Sequence, residues 1–197
     1  MNMLKSKVIF SALIGCFALA ASVRAQDTGV YAVPPPPATK LEMLETNTGV
    51  ILIKASGPIG SMSVNGATVS VTCKEDTVTG TGRKEYGIAI SVVSAQTANV
   101  EDRTIVDYDE LGPLLEAIDK LARIDWTGIS LTSFSASYQT VDGLRVVAFS
   151  ARRSGSIEHS VRSSRMSRGI VMTQSQLAEF RGLIDQARRK LDELRAK

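Results

Sequence analysis

Twice along this chain the apolar residues change their spacing from every second position to every third and fourth. Val69, Val71 and Cys73, then Ile88, Ile90 and Val92, recur at alternate positions, as in strands that bury one face. From Leu111 the interval lengthens: Leu111, Leu114, Leu115, Ile118, Leu121 and Ala122 fall on one stripe of a helix. Phe134-Ser135-Ala136-Ser137-Tyr138 returns to alternation, and Leu177, Phe180, Ile184, Ala187, Leu191 and Leu194 form a second helical stripe. A period of two suits a pleated strand and a period of 3.6 suits a helix, so each stretch is restricted to one of them. The reading is an α+β fold over residues 39–197. Antiparallel sheet is expected in two strand-rich halves, 39–125 and 126–197, each followed by an amphipathic helix.

Punctuation between these stretches supports that reading. Asn65-Gly66 and Asp142-Gly143 are two-residue hairpin signals. Gly57-Pro58 reads as a turn after Val50-Ile51-Leu52-Ile53, and Thr77 to Lys84 as a longer hairpin loop. The whole of Thr39 to Ser94 reads as strands and turns. Leu144 to Ala151, Ile157 to Arg162 and Ile170-Val171-Met172 read as further strands. Asp107 or Asp109 is the expected cap of the first helix, and Thr173 or Ser175 of the second. The two helical ends align without gaps at an offset of 66, Leu111 on Leu177, Leu114 on Phe180, Ile118-Asp119 on Ile184-Asp185. Each half resembles, in the order of its elements, the β4-α layout of the Whirly and Pur-type nucleic-acid-binding folds. The resemblance implies a layout only; no motif of those families stands in the chain, and layout does not fix function.

The first 25 residues read as a secretory signal peptide: Lys5 and Lys7, an apolar run from Val8 to Ala21 broken only by Ser11, then Ser22-Val23-Arg24-Ala25. The run falls short of the roughly 20 residues of a spanning helix, so no transmembrane span is expected after cleavage. Leu13-Ile14-Gly15-Cys16 resembles a lipobox, but apolar residues continue past Cys16, which favours simple cleavage near Ala25. Residues 26–38, with Pro34 to Pro37, read as a proline-rich tether. The expected location is secreted or periplasmic.

Export would change the electrostatics. The chain carries 23 cations, 20 acids and a net charge of +3. Removing Lys5, Lys7 and Arg24 leaves 20 of each, so nucleic acid is not an expected partner. What remains is polarity between the halves: Gln26 to Asp125 holds 14 acids and 8 cations, and Trp126 to Lys197 holds 6 acids and 12 cations. Complementary packing of the halves, or of a second copy in a homo-oligomer, is one consequence. The other is an anionic partner for the basic half.

The candidates for chemistry are few. Arg152, Arg153, Arg162, Arg165 and Arg168 lie in one arginine- and serine-rich segment whose guanidinium forks suit phosphate, sulfate or carboxylate. No aromatic residue lies between Arg152 and Gly169 to stack a base. Cys73 is the one cysteine left after cleavage and reads as a core thiol. His159 is the sole histidine, without a Gly-x-Ser-x-Gly elbow to supply a serine, and reads as a strand residue. Asp107-Tyr108-Asp109-Glu110 starts like a calcium loop, but Leu111 and Ile118 stand where ligands belong, and capping accounts for the acids. Gly80-Thr81-Gly82-Arg83-Lys84 lacks the spacing of a phosphate loop. No metal or cofactor is expected. The sum is an exported, non-catalytic binding or interaction protein of the cell envelope, its partner a protein or an anionic ligand. The rival readings are a hydrolase built on Cys73 or His159 and an anion-binding module built on the arginines.

Overall fold

The computed structural model of the protein describes residues 39–94, 101–125, 127, 130–131, 133–151, 156–163 and 169–197. The signal peptide and tether expected over 1–38 lie outside these, and all the described residues belong to one compact unit, Pro35–Lys197. A short helix, α1 (Lys40–Glu45), precedes β1 (Leu52–Val64), β2 (Ala67–Val78), β3 (Lys84–Ser94), β4 (Glu101–Asp107) and α2 (Tyr108–Ala122). The second half follows as β5 (Ser135–Gln139), β6 (Arg145–Ser150), β7 (Ile157–Arg162), β8 (Ile170–Met172) and α3 (Gln174–Arg195). Each set of four strands is an antiparallel meander in chain order, so the chain adopts the α+β architecture its periods imply.

The hairpin reading holds at Asn65-Gly66, whereas Asp142-Gly143 falls in a longer connection between β5 and β6. Asn65 and Gly66 take φ of 50° and 79°, the left-handed pair that matches the twist of the flanking strands. Gly80 and Gly82 likewise have positive φ in the β2–β3 connection, which is a hairpin turn and not a phosphate loop.

Both helices bury their stripes in one core. Leu111, Leu114, Leu115, Ile118 and Leu121 of α2, and Leu177, Phe180, Ile184, Ala187 and Leu191 of α3, pack with the inward faces of both sheets. The offset of 66 extends to the caps. Asp107 and Thr173 are the N-caps, and Glu110 and Gln176, three residues on, each accept the cap's backbone N–H, at 3.4 and 2.9 Å. The helices run antiparallel. Near one end Arg181 donates to both oxygens of Asp119, at 2.7 and 2.8 Å. At the other Tyr108 donates to Asp192 while the Arg195 guanidinium lies 3.9 Å above the Tyr108 ring. In this pairing α3 lies mainly on β1 and β2 of the first sheet, and α2 bridges β3–β4 and β5–β6. Neither half closes its own core.

Two details depart from the expectations, and one strand has no counterpart among them. Lys40 to Glu45 is helix, not strand. Six residues are too few for an independent helix, but Thr39 and Glu42 form a capping box, and Leu41 and Leu44 are buried against the outer face of the first sheet. Gly87 makes room for them: a Cβ there would stand 2.7 Å from Leu41 Cδ1 and 2.5 Å from the Val106 carbonyl oxygen. Gly57-Pro58 is not a turn but lies inside β1. Proline is tolerated because β1 is an edge strand, and the pairing shifts between Pro58 and Gly60, leaving Ile59 as a bulge. Ile105-Val106 is part of a full strand, β4, which pairs with β3 from Gly87↔Asp107 to Val93↔Glu101.

Candidate functional site

Cys73 and His159 are both buried, Cys73 beside a groove between β1 and α3. Cys73 faces inward on β2, and its thiol lies 3.6 Å from the Ala187 carbonyl of α3. Burial pushes that thiol up to about 11, against a small opposing pull from Lys190, so at neutral pH it is not a thiolate. His159 is buried on β7, and its Nε2 lies 3.2 Å from the Leu121 carbonyl. A carbonyl only accepts, so Nε2 carries the proton. Leu121 is in the last turn of α2, where carbonyls lack intrahelical partners, and His159 supplies one. Leu121 and Ala187 are themselves related by the offset of 66. Each sheet therefore sends one buried polar side chain to the same position on the other half's helix.

Ser163 and Asp102 do not form a relay with His159. Ser163 donates to Asp102 at 2.5 Å, but it stands four residues beyond His159 on the same strand face, roughly 13 Å away at strand rise.

The acids of the first half hold the molecule together. Asp107 accepts from the backbone N–H of Lys40 and Leu41 at the start of α1. Glu110 accepts from Val141 N at 2.8 Å, and in return Asp142 of the second half accepts from Ile105 N at 2.7 Å on the β4 edge. Glu45 at the end of α1 meets Lys54 at 2.8 Å and Lys74 at 3.0 Å. Beside it Asp76 is fully buried, and no hydrogen-bond donor reaches either of its oxygens. Burial pushes the Asp76 carboxyl up, and the neighbouring Glu45 adds to that. Lys74 pulls the other way, and the net push is towards the neutral carboxyl. Among the described residues no cluster of three or more histidine, cysteine or acidic side chains is placed to hold a metal ion.

Two surfaces are open to a ligand. One is a groove of about 650 Å³ between the front half of β1 and the last turns of α3. Ala55, Gly57, Ile59 and Leu194 give it apolar walls, and Cys73 lies at its inner end. Its charged lining is largely spent: Glu75 pairs with Lys84, Arg189 with Asp185, and Lys190 with Glu193.

The other is the outer face of the second sheet. Of the five candidate arginines, Arg152, Arg153, Arg165 and Arg168 lie outside the described residues. Arg162 is on β7 and stands directly opposite Arg145 of β6, with Gln139 of β5 opposite Arg145 in turn. Gln139 Oε1 accepts from Arg145 Nε at 3.0 Å and Nη2 at 2.5 Å. Sequence reading missed Arg145 because it lies outside the arginine-rich segment. The signal was there in the alternation, since Val146 and Val161 face the core and their neighbours must face out. No protein-family model matches this chain, and comparison with curated proteins finds no match.

Proposed function

We propose that the protein is an exported, non-catalytic binding or interaction protein of the cell envelope. One observation carries the non-catalytic part: the thiol and the imidazole, the two groups a covalent or acid–base mechanism would draw on, are both buried against helix carbonyls. A thiol at about 11 is a poor nucleophile, and an imidazole bonded to a carbonyl in the core meets no substrate. Export is supported by the basic, apolar and small-residue segments of the first 25 residues. The binding part is supported by two ligand-accessible surfaces, the β1–α3 groove and the arginine-bearing sheet face.

The test is a screen of the purified mature protein against chromogenic esters, phosphomonoesters, glycosides and peptides. No turnover above background is expected. Specific turnover that disappears in Cys73→Ala or His159→Ala, with the variant still folded, would overturn the reading in favour of a hydrolase.

A further inference from the structure

We propose that Arg145 and Arg162 form a binding site for a phosphate group on the outer face of the second sheet. The proposal rests on the non-catalytic binding reading and names a ligand class for it. The two arginines are a direct cross-strand pair in the β6–β7 register, a position where side chains approach to about 5 Å and like charges cost stability. Three other arginines are met by carboxylates, Arg83 by Glu85, Arg181 by Asp119 and Arg189 by Asp185. Among the described residues no carboxylate forms an ion pair with Arg145 or Arg162. The acid on this face of β7 is Glu158, four residues along the strand and roughly 13 Å away.

The neutral neighbour has a particular effect. Gln139 takes the Nε edge of Arg145 and fixes its plane without cancelling its charge, leaving the remaining N–H groups for another acceptor. Gly169 lies close to Ser160: a Cβ there would stand 3.2 Å from Ser160 Oγ, and at 3.5 Å from Arg162 Cβ it would be in ordinary contact. Two adjacent positive charges, one of them oriented by Gln139, and a serine hydroxyl on the same face suit an oxyanion with close to two negative charges. A phosphomonoester or free phosphate carries that at neutral pH, whereas a carboxylate carries one. Free phosphate and a phospholipid headgroup share this chemistry.

The experiment has two arms on the folded mature chain. Inorganic phosphate is titrated while arginine Nε–H resonances and the melting temperature are followed. In parallel, phosphatidylcholine vesicles with and without phosphatidic acid are sedimented with the protein. Phosphate is expected to shift the Arg145 and Arg162 signals and to raise the melting temperature. Arg145→Gln and Arg162→Gln are each expected to weaken binding about tenfold, the scale of one lost charge-assisted hydrogen bond. The Lys variants should fall in between, keeping charge but losing the fork. The unliganded Gln variants should melt no lower than the parent, because a like-charge contact is removed. Sedimentation only with phosphatidic acid assigns a headgroup, and a response to phosphate alone assigns a free or small phosphorylated ligand; both support the site. Unmoved resonances and melting temperature with no sedimentation, or binding unchanged in the Gln variants, overturns it. That failure leaves the non-catalytic reading standing, since only turnover overturns that reading.

Discussion

The carboxylate of Asp107 accepts the backbone N–H of Lys40 at 2.7 Å, although 67 residues separate them. Its other oxygen takes the N–H of Leu41 at 3.3 Å. Asp107 is also the N-cap residue of α2, so one side chain sits where two helices begin. Both starts leave amide N–H groups without partners, and both favour negative charge. Burial pushes the Asp107 carboxyl up, and the Lys40 and Leu41 amides pull it back down. Asp107→Ala is expected to cost about 2 kcal/mol, the upper range for a lost cap. Hydrogen exchange should report the loss first at Leu41 to Glu45, before α2 or the sheet responds. Asp107→Asn keeps an acceptor oxygen and is expected to recover about half of that loss.

Gly87 tests the same docking from beneath. An alanine there would bring Cβ within 2.5 Å of the Val106 carbonyl oxygen, which belongs to the paired strand and cannot swing aside. Gly87→Ala is expected to lower stability by about 2 kcal/mol or more, read as a lower urea midpoint at unchanged slope. The same change at Gly57, where a Cβ would meet nothing within 4 Å, should be close to neutral and serves as the control.

Stability should depend on pH through Glu45 and Asp76, with opposite signs. Burial alone would raise the Glu45 carboxyl, but the ion pairs to Lys54 and Lys74 bring it down to about 2. A carboxyl lowered by folding contributes stability above its unfolded value, and this is lost as the pH falls from about 4.5 towards 2. Glu45 is partly exposed, and screening leaves its share at about 1 kcal/mol. Asp76 is raised by burial, so its contribution is present below its ordinary range and is lost as the pH rises through the folded value. Thermal melts across acid to mildly alkaline pH should therefore separate the two variants. Glu45→Gln should flatten the acid limb. Asp76→Asn should raise stability at pH 8 by on the order of 1 kcal/mol, since the amide needs no proton to be neutral. A fall in stability at pH 8 in Asp76→Asn would contradict the upward push that burial puts on the Asp76 carboxyl.

Cys73 and His159 are expected to behave as parts of the core. The Cys73 thiol should resist an aromatic disulfide reagent in the native protein and react at the rate of global unfolding as urea is raised. His159→Leu leaves the Leu121 carbonyl without its donor and should cost about 2 kcal/mol, measured by chemical denaturation. His159→Gln, which can still donate, should cost less.

Much of the fold was legible because the periodicity survived burial. The stripes of α2 and α3, the Asn65-Gly66 turn, and strands Ile157–Arg162 and Ile170–Met172 are where the pattern puts them. What stayed hidden depended on partners distant in sequence. Lys40 to Glu45 has too few residues to show a period, and its helix exists because Asp107 and the Gly87 hollow receive it. Pro58 signals a turn locally, and edge position, which only the sheet order reveals, overrides that signal. At the arginine face the segment rich in arginine drew attention to Arg162. Its register partner Arg145 becomes visible only once β6 and β7 are paired.

The exchange of helices has a consequence for the order in which the molecule can be made. Synthesis runs from the N-terminus, and α3, which covers β1 and β2, is the last element to be completed. Until α3 emerges, β1 and β2 lack their main cover, because α2 lies mainly on β3 and β4 of the first sheet. A first sheet that waits for α3 stays loosely covered during elongation, which suits the proposed export.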